Sequence, residues 1–243
     1  MSEPIIPPAD SVALRLRLAE SVRVFEAIGL FDMNGHVSVR VAGGGFLTHG
    51  RQADRATVTV RDVIRVDDDG RLVEGEQEPP NEVALHAEVY RARPDVLAVA
   101  HYHGQWGNVL TLAEIPLAPV TSVACGLGTD FPVYPHPDSI STPERGREVA
   151  KCLGKHKIVM LRAHGTVVTG RSLEEVLVAS KYLELNAERQ WYVRAVNPHA
   201  GLADEEVRRV GDSLWIEKNI EKAWQYYYNH ARAMGKLEGV DGA

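Results

Sequence analysis

The 243-residue chain has a formal net charge of −6, with 44% apolar and 25% charged residues. That balance suits a globular protein with a substantial core and leaves no basic footprint for nucleic acid. Two cysteines exclude a disulfide framework, and no apolar run reaches the roughly 18 residues a membrane span needs. Met1-Ser2-Glu3-Pro4 lacks the basic and apolar regions of a signal peptide. A cytoplasmic protein in a reducing compartment, binding neither nucleic acid nor membrane, is expected. No linker, repeat or composition shift divides the chain, so one domain over 1–243 is expected.

In chain order, Asp10 or Ser11 is placed to cap a helix running through Leu14, Leu18, Val22 and Phe25, with Gly29 as its stop. Val37, Val39 and Val41 alternate with polar residues and, with Phe46-Leu47-Thr48, predict a hairpin. Val63 to Val66 and Leu72-Val73, joined by Asp67-Asp68-Asp69-Gly70, predict a second. Asn81 is a candidate cap for a helix from Glu82 to Arg91, closed by Pro94. The apolar run Val96 to Ala100, ending in His101-Tyr102-His103, reads as a buried strand, and a short helix begins near Gly104. Thr142-Pro143-Glu144 is a helix start with proline in the first turn. Ile158 to Arg162 is a second buried strand, with His164-Gly165 at its end. Ser172-Leu173-Glu174-Glu175 is a capping box opening a helix to about Val193. One last helix is predicted from about Asp204 to Met234. This mixture fits an α/β sandwich, a mostly antiparallel sheet between helical layers.

The chemistry concentrates in the histidines. In a strand, residues i and i+2 share a face, so His101 and His103 project side by side. Alone, such a pair is equally well two buried histidines in ordinary hydrogen bonds. His164 at a second strand end, and Glu82 opening the helix before the first strand, favour a metal centre. Three imidazoles and a carboxylate accept a divalent transition metal, with zinc the first expectation and manganese, iron, cobalt and nickel also suited. His36 either serves the site or bonds the hairpin backbone. Arg162 either pairs with a substrate carboxylate or forms a structural ion pair. His86 lies one turn after Glu82 and can reach it, or is packed. Tyr182 reads as core, as does the cluster Trp224, Tyr226, Tyr227 and Tyr228. His49, His136, His156, His199 and His230 show no pattern and read as surface or loop. Cys125 and Cys152 read as small buried apolar groups.

From about Leu14 to Ala231 the chain resembles the class II aldolase/adducin family. The resemblance is carried by Gly35-His36-Val37-Ser38-Val39-Arg40, Glu82-Val83-Ala84-Leu85-His86, Tyr90 to Val96, His101-Tyr102-His103, His164-Gly165 with Gly170, and Tyr182-Leu183-Glu184. It implies a three-layer α/β/α sandwich and a homotetramer with sites between subunits. It also implies a divalent cation held by His101, His103, His164 and Glu82, with Glu82 doubling as acid or base. A cation chelated by two substrate oxygens acts as a Lewis acid and stabilises an enolate-like intermediate. That electron sink serves both retro-aldol cleavage and decarboxylation.

Departures from the family pattern separate the two reactions. Sugar-phosphate aldolases carry small hydroxyl residues before the glutamate; here Pro80 and Asn81 stand there, and proline offers neither amide donor nor hydroxyl. The aldolase tyrosine has no counterpart in Val120 to Ala124. Gly35-His36 replaces the usual Gly-Asn and resembles the branch that decarboxylates hydroxylated aromatic or muconate-type acids. The expectation is a metal-dependent decarboxylase with Glu82, His36 and Arg162 acting on a small carboxylic acid. The alternatives are an aldolase acting on a non-phosphorylated hydroxy-keto acid and an adducin-like binding module.

Overall fold

A computed structural model describes residues 6–9 and 11–242. Its frame is one eight-stranded sheet in the order β4-β3-β2-β1-β5-β8-β7-β6. The strands are β1 (His36–Arg40), β2 (Phe46–His49), β3 (Val63–Val66), β4 (Leu72–Glu74), β5 (Ala98–Tyr102), β6 (Val133–Tyr134), β7 (Ile158–Leu161) and β8 (Gly165–Gly170). Every neighbouring pair is antiparallel except β6–β7. The predicted mostly antiparallel sheet is therefore observed, as are both hairpins.

Alternation along the strands splits the core in two. Val37, Val39, Ala98, Ala100 and Val168 face α1 (Val12–Ala27) and α5 (Leu173–Arg194). Phe46, Val99, Val159 and Val167 face α2 (Val83–Ala92) and α4 (Pro143–Leu153). Helices thus cover both faces, giving the three layers. Ser38 and His101 alternate with residues of the first set, so they point toward α2.

The caps follow the sequence with two exceptions. Ser11 accepts from Leu14 N at 3.2 Å and starts α1; Asp10, the alternative cap, lies outside the described residues. Thr142 caps α4 with Pro143 in its first turn. Ser172 accepts from Glu175 N at 3.1 Å, but Glu175 accepts from Arg171 N rather than closing the predicted box. Asn81 is not the cap of α2. Glu82 occupies that position with non-helical φ −102° and ψ 26°, and its side chain makes no capping bond. The carboxylate is turned elsewhere, to the site described below.

The single C-terminal helix expected from the sequence is two, α6 (Asp204–Leu214) and α7 (Glu217–Ala233). The break falls at Trp215–Ile216, where the backbone turns extended. Tertiary contacts override helix propensity here. The Trp215 indole donates to Glu175 at 2.9 Å, and the Lys157 ammonium sits 3.9 Å over its ring. β6, a two-residue strand, and β8 had no separate signal in the sequence.

The remaining helix, α3 (Gln105–Leu112), follows His103 directly. Its start is held from α5, where the buried Glu184 accepts from Trp106 N at 2.8 Å and Gly107 N at 3.1 Å. α3 in turn supports the β7–β8 turn: Asn108 donates to His164 O at 3.0 Å, and Thr111 accepts from Ala163 N at 3.3 Å. Ala163 takes φ 58° there, a left-handed conformation unusual outside glycine. Among the described residues no helix is long and apolar enough to cross a membrane.

Candidate metal centre and its cleft

β5 ends in His101 and leads to His103, the β7–β8 turn presents His164, and the start of α2 presents Glu82. One ligand-capable atom of each lies within 4.8 Å of every other. His101 Nε2 is 3.2 Å from His103 Nε2 and 3.2 Å from Glu82 Oε2. His164 Nε2 is 3.5 Å from Glu82 Oε1. The four residues singled out in the sequence do converge.

The protonation pattern suits a cation. His101 Nδ1 faces the Thr166 carbonyl at 3.1 Å. A carbonyl only accepts, so Nδ1 carries a proton and leaves Nε2 to face the cluster. Nε2 looks onto Glu82 Oε2 at 3.2 Å, a contact that needs a proton or a cation between the two atoms. A divalent cation would meet that need, and the same atoms could be its ligands. Burial pushes the His164 imidazole down to about 4, helped by nearby His101. It lowers His103 as well. Both are then neutral at pH 7, the form that binds metal. Burial acts to raise Glu82, but contacts from His101 and His36 outweigh it and hold the carboxyl well below the ordinary range. Ser139 Oγ and Ile140 N also donate to Glu82 Oε1, at 2.9 and 2.6 Å.

Around this centre lies a cleft of about 320 Å³, lined in part by His36, Arg51, Arg55, Pro80 and Asn81. His36 stands opposite His101 in the β1–β5 register. Its Nε2 faces Glu82 Oε2 at 3.6 Å. Burial pushes His36 down to about 4. Its other nitrogen, Nδ1, is 2.6 Å from His86 Nε2. His86 therefore reaches His36 and not Glu82, because its ring crosses to β1. Arg55 is buried and donates to Gly35 O at 2.9 Å and to Ala53 O, which fixes the turn before His36. A roomier cleft of about 620 Å³ lies between Gly126–Asp130 and α6, without a comparable convergence of ligands.

Other sequence expectations fare differently. Arg162 has an exposed side chain and does not line the cleft. It follows β7 in the tight turn to β8, which directs His164 inward and leaves Arg162 outside. Arg51 and Arg55 are the cleft's guanidiniums, and nothing in their local sequence marked them. His49 is fully buried at the end of β2 rather than on the surface. His136, His199 and His230 are exposed and His156 is half-buried. Trp224 is core, whereas Tyr226 is 68% exposed. Tyr182 is half-buried against Trp215. Cys125 is buried and Cys152 half-buried, both unpaired thiols.

A family model described as the class II aldolase and adducin N-terminal domain matches residues 16–191. The chain belongs to the class II aldolase and adducin family. Among relatives in this family, a 3,4-dihydroxyphthalate decarboxylase from Terrabacter sp. (strain DBF63) is 32% identical over 88% of this chain and 95% of its own. A 5-methylthioribulose-1-phosphate/5-deoxyribulose-1-phosphate aldolase from Rhodospirillum rubrum is 28% identical over 84% of this chain and 91% of its own. Decarboxylase NovR from Streptomyces niveus is 35% identical over 66% of this chain, which spans only 62% of NovR's length. In structure, the L-fuculose 1-phosphate aldolase of Glaciozyma antarctica PI12 superposes with a TM-score of 0.79 at 21% identity, covering 96% of both chains. The class II aldolase fold is thereby shown. The family's relatives include both decarboxylases and aldolases, lyases acting on small molecules.

Proposed function

We propose that this protein is a divalent-metal-dependent decarboxylase of a hydroxy-substituted aromatic or unsaturated carboxylic acid. The observation that supports it is His36, an imidazole set in the cleft beside Glu82 and the three other imidazoles. A carboxylate entering this cleft meets His36 and the positive charges of Arg51 and Arg55. A sugar phosphate meets Pro80 and Asn81 instead of a pair of hydroxyls. Val120 to Ala124 holds no tyrosine and is tied to α5, with Val120 N donating to Asn186 Oδ1 at 2.9 Å. The dihydroxyphthalate decarboxylase matches along nearly its whole length, which favours the same reaction class.

In this reading His101, His103, His164 and Glu82 would hold the cation, zinc first, with manganese, iron, cobalt or nickel also suited. Bound there, it would withdraw electron density from a hydroxy acid and stabilise the charge left when carbon dioxide departs. His36 orients the departing carboxylate through an N–H hydrogen bond. Glu82, swung away from the cation, would take the substrate's hydroxyl proton and return it to the vacated carbon. Arg162, outside the cleft, has no part in this scheme. Homotetrameric assembly, implied by the family resemblance, belongs to the same proposal and is checked by light scattering.

The deciding experiment reconstitutes the protein with each cation. It measures carbon dioxide released from hydroxyphthalates and hydroxybenzoates against aldehyde released from hydroxy-keto acids. Carbon dioxide, lost on chelation, is the expected result. Aldehyde alone would transfer the chain to the aldolase reading, which the Rhodospirillum relative supports. Neither product from a metal-loaded protein would leave an adducin-like binding module.

A further inference from the structure

α3 starts two residues after His103, and its own sequence does not cap it. Its N-cap is Gly104, which has no side chain to offer. A capping side chain would accept from the amides of the second or third helical residue, here Trp106 N and Gly107 N. Both are taken instead by Glu184 of α5, through Oε2 at 2.8 Å and Oε1 at 3.1 Å. Gly104 has φ −59° and ψ 136°, so its backbone does not demand glycine. The carboxylate does. A Cβ on Gly104 would collide with Glu184 Oε1, and one on Gly107 would lie 2.9 Å from it. Glu184 is buried, and a buried carboxylate is costly unless it is well paired. Two amides at the positive end of a helix offset that cost.

α3 serves two of the clustered imidazoles. Its start follows on from His103. From its later residues Asn108 donates to His164 O at 3.0 Å, and Thr111 accepts from Ala163 N at 3.3 Å. The rings of His103 and His164, distant in the chain, come to 4.9 Å between centroids and both line the cleft. A fixed α3 therefore ties the two rings together. We propose that Glu184 is a positioning residue for the metal centre: by capping α3 from α5, it sets His103 and His164 relative to each other. The proposal rests on the metal-centre reading of the four-residue cluster and not on which substrate bond is cleaved.

The test titrates the full-length, metal-free protein with zinc and records the visible absorption of its cobalt form, which reports how ligands surround the ion. Glu184→Leu removes both acceptors. It should weaken zinc binding about 10–100-fold, the range for outer-shell partners, and alter the cobalt spectrum. Glu184→Gln keeps one carbonyl oxygen but turns an amide toward the second N–H, so it should fall between wild type and Glu184→Leu. Val178→Ala is the control. It truncates another buried side chain of α5, one that lines the hollow beside α7. It should lower Tm and leave zinc affinity and the cobalt spectrum unchanged. An equal loss of zinc affinity in Val178→Ala would overturn the proposal, because the effect would then track stability alone. A folded Glu184→Gln with wild-type affinity and spectrum would also overturn it, and this near-isosteric variant decides the matter if Glu184→Leu does not fold. A wild type that takes up neither zinc nor cobalt removes the metal-centre reading and this proposal together. Tight binding by wild type and Glu184 variants alike leaves the metal centre standing and removes only the positioning role.

Discussion

Gly165 gives the sharpest test of how tightly fold and site are joined. It opens β8 directly after His164, with no left-handed backbone to strain. A Cβ there would lie inside contact distance of the Tyr102 carbonyl oxygen and 3.1 Å from both His101 Cε1 and His103 Cδ2. Carbon pairs rest at about 3.5–4.0 Å, so both rings must shift by several tenths of an ångström. The carbonyl belongs to the β5–β8 ladder and cannot swing aside. Overpacking of this kind costs about 1–3 kcal/mol. At this chain length each kcal/mol lowers Tm by about 2–4 °C, so Gly165→Ala should melt about 2–12 °C lower. Displaced imidazoles should also weaken zinc binding about 10–100-fold, as outer-shell disturbances do. Calorimetric melting and zinc titration measure the two effects. Gly170→Ala is the control: its Cβ would meet Val176 and Glu175 at 3.0 and 3.2 Å at the opposite end of β8. It should lose stability and keep zinc affinity. If Gly165→Ala binds zinc like Gly170→Ala, the geometric link between β8 and the histidines is refuted.

Further outcomes are expected. His103→Ala should abolish stoichiometric metal binding while leaving the fold intact, since the side chain is only half-buried; full occupancy in that variant would contradict the ligand assignment. Glu175 should shape the acid limb of stability. Burial acts to raise its pKa, but Lys157, Arg171 N and Trp215 overcome that and lower it. A depressed carboxyl stabilises the fold above its unfolded value of about 4.3 and loses that contribution as pH falls through the folded value. Glu175→Gln should therefore melt lower at pH 7, with a shallower loss of stability below about pH 4.3; parallel acid limbs for the two proteins would refute this.

The convergence of Glu82, His101, His103 and His164 was legible because each sits at an element boundary the sequence marks: the strand end at His101 and His103, the turn before Gly165, the helix start at Glu82. The rest of the cleft was not. Arg51 and Arg55 come from a loop without periodicity, and only tertiary folding brings them to the pocket wall. Ser139 lies 57 residues from the Glu82 it binds. His86 was placed one helical turn from Glu82, correctly along the helix. Helical spacing does not reveal that β1 offers His36 and Ser38 as nearer partners. The split between α6 and α7 was hidden for a similar reason, since Trp215 answers to Lys157 and Glu175, distant in the chain.

The four-residue cluster has a consequence for the protein's lifetime. Its members come from α2, β5 and the β7–β8 turn, so an unfolded chain holds no matching site. Any cation that fits would bind only the native form, and at a hundredfold excess over Kd it would add about 2.7 kcal/mol to stability. Resistance to proteolysis should then rise and fall with the transition-metal supply, even without substrate. The abundance of the protein would then report how much metal the cell has to spare.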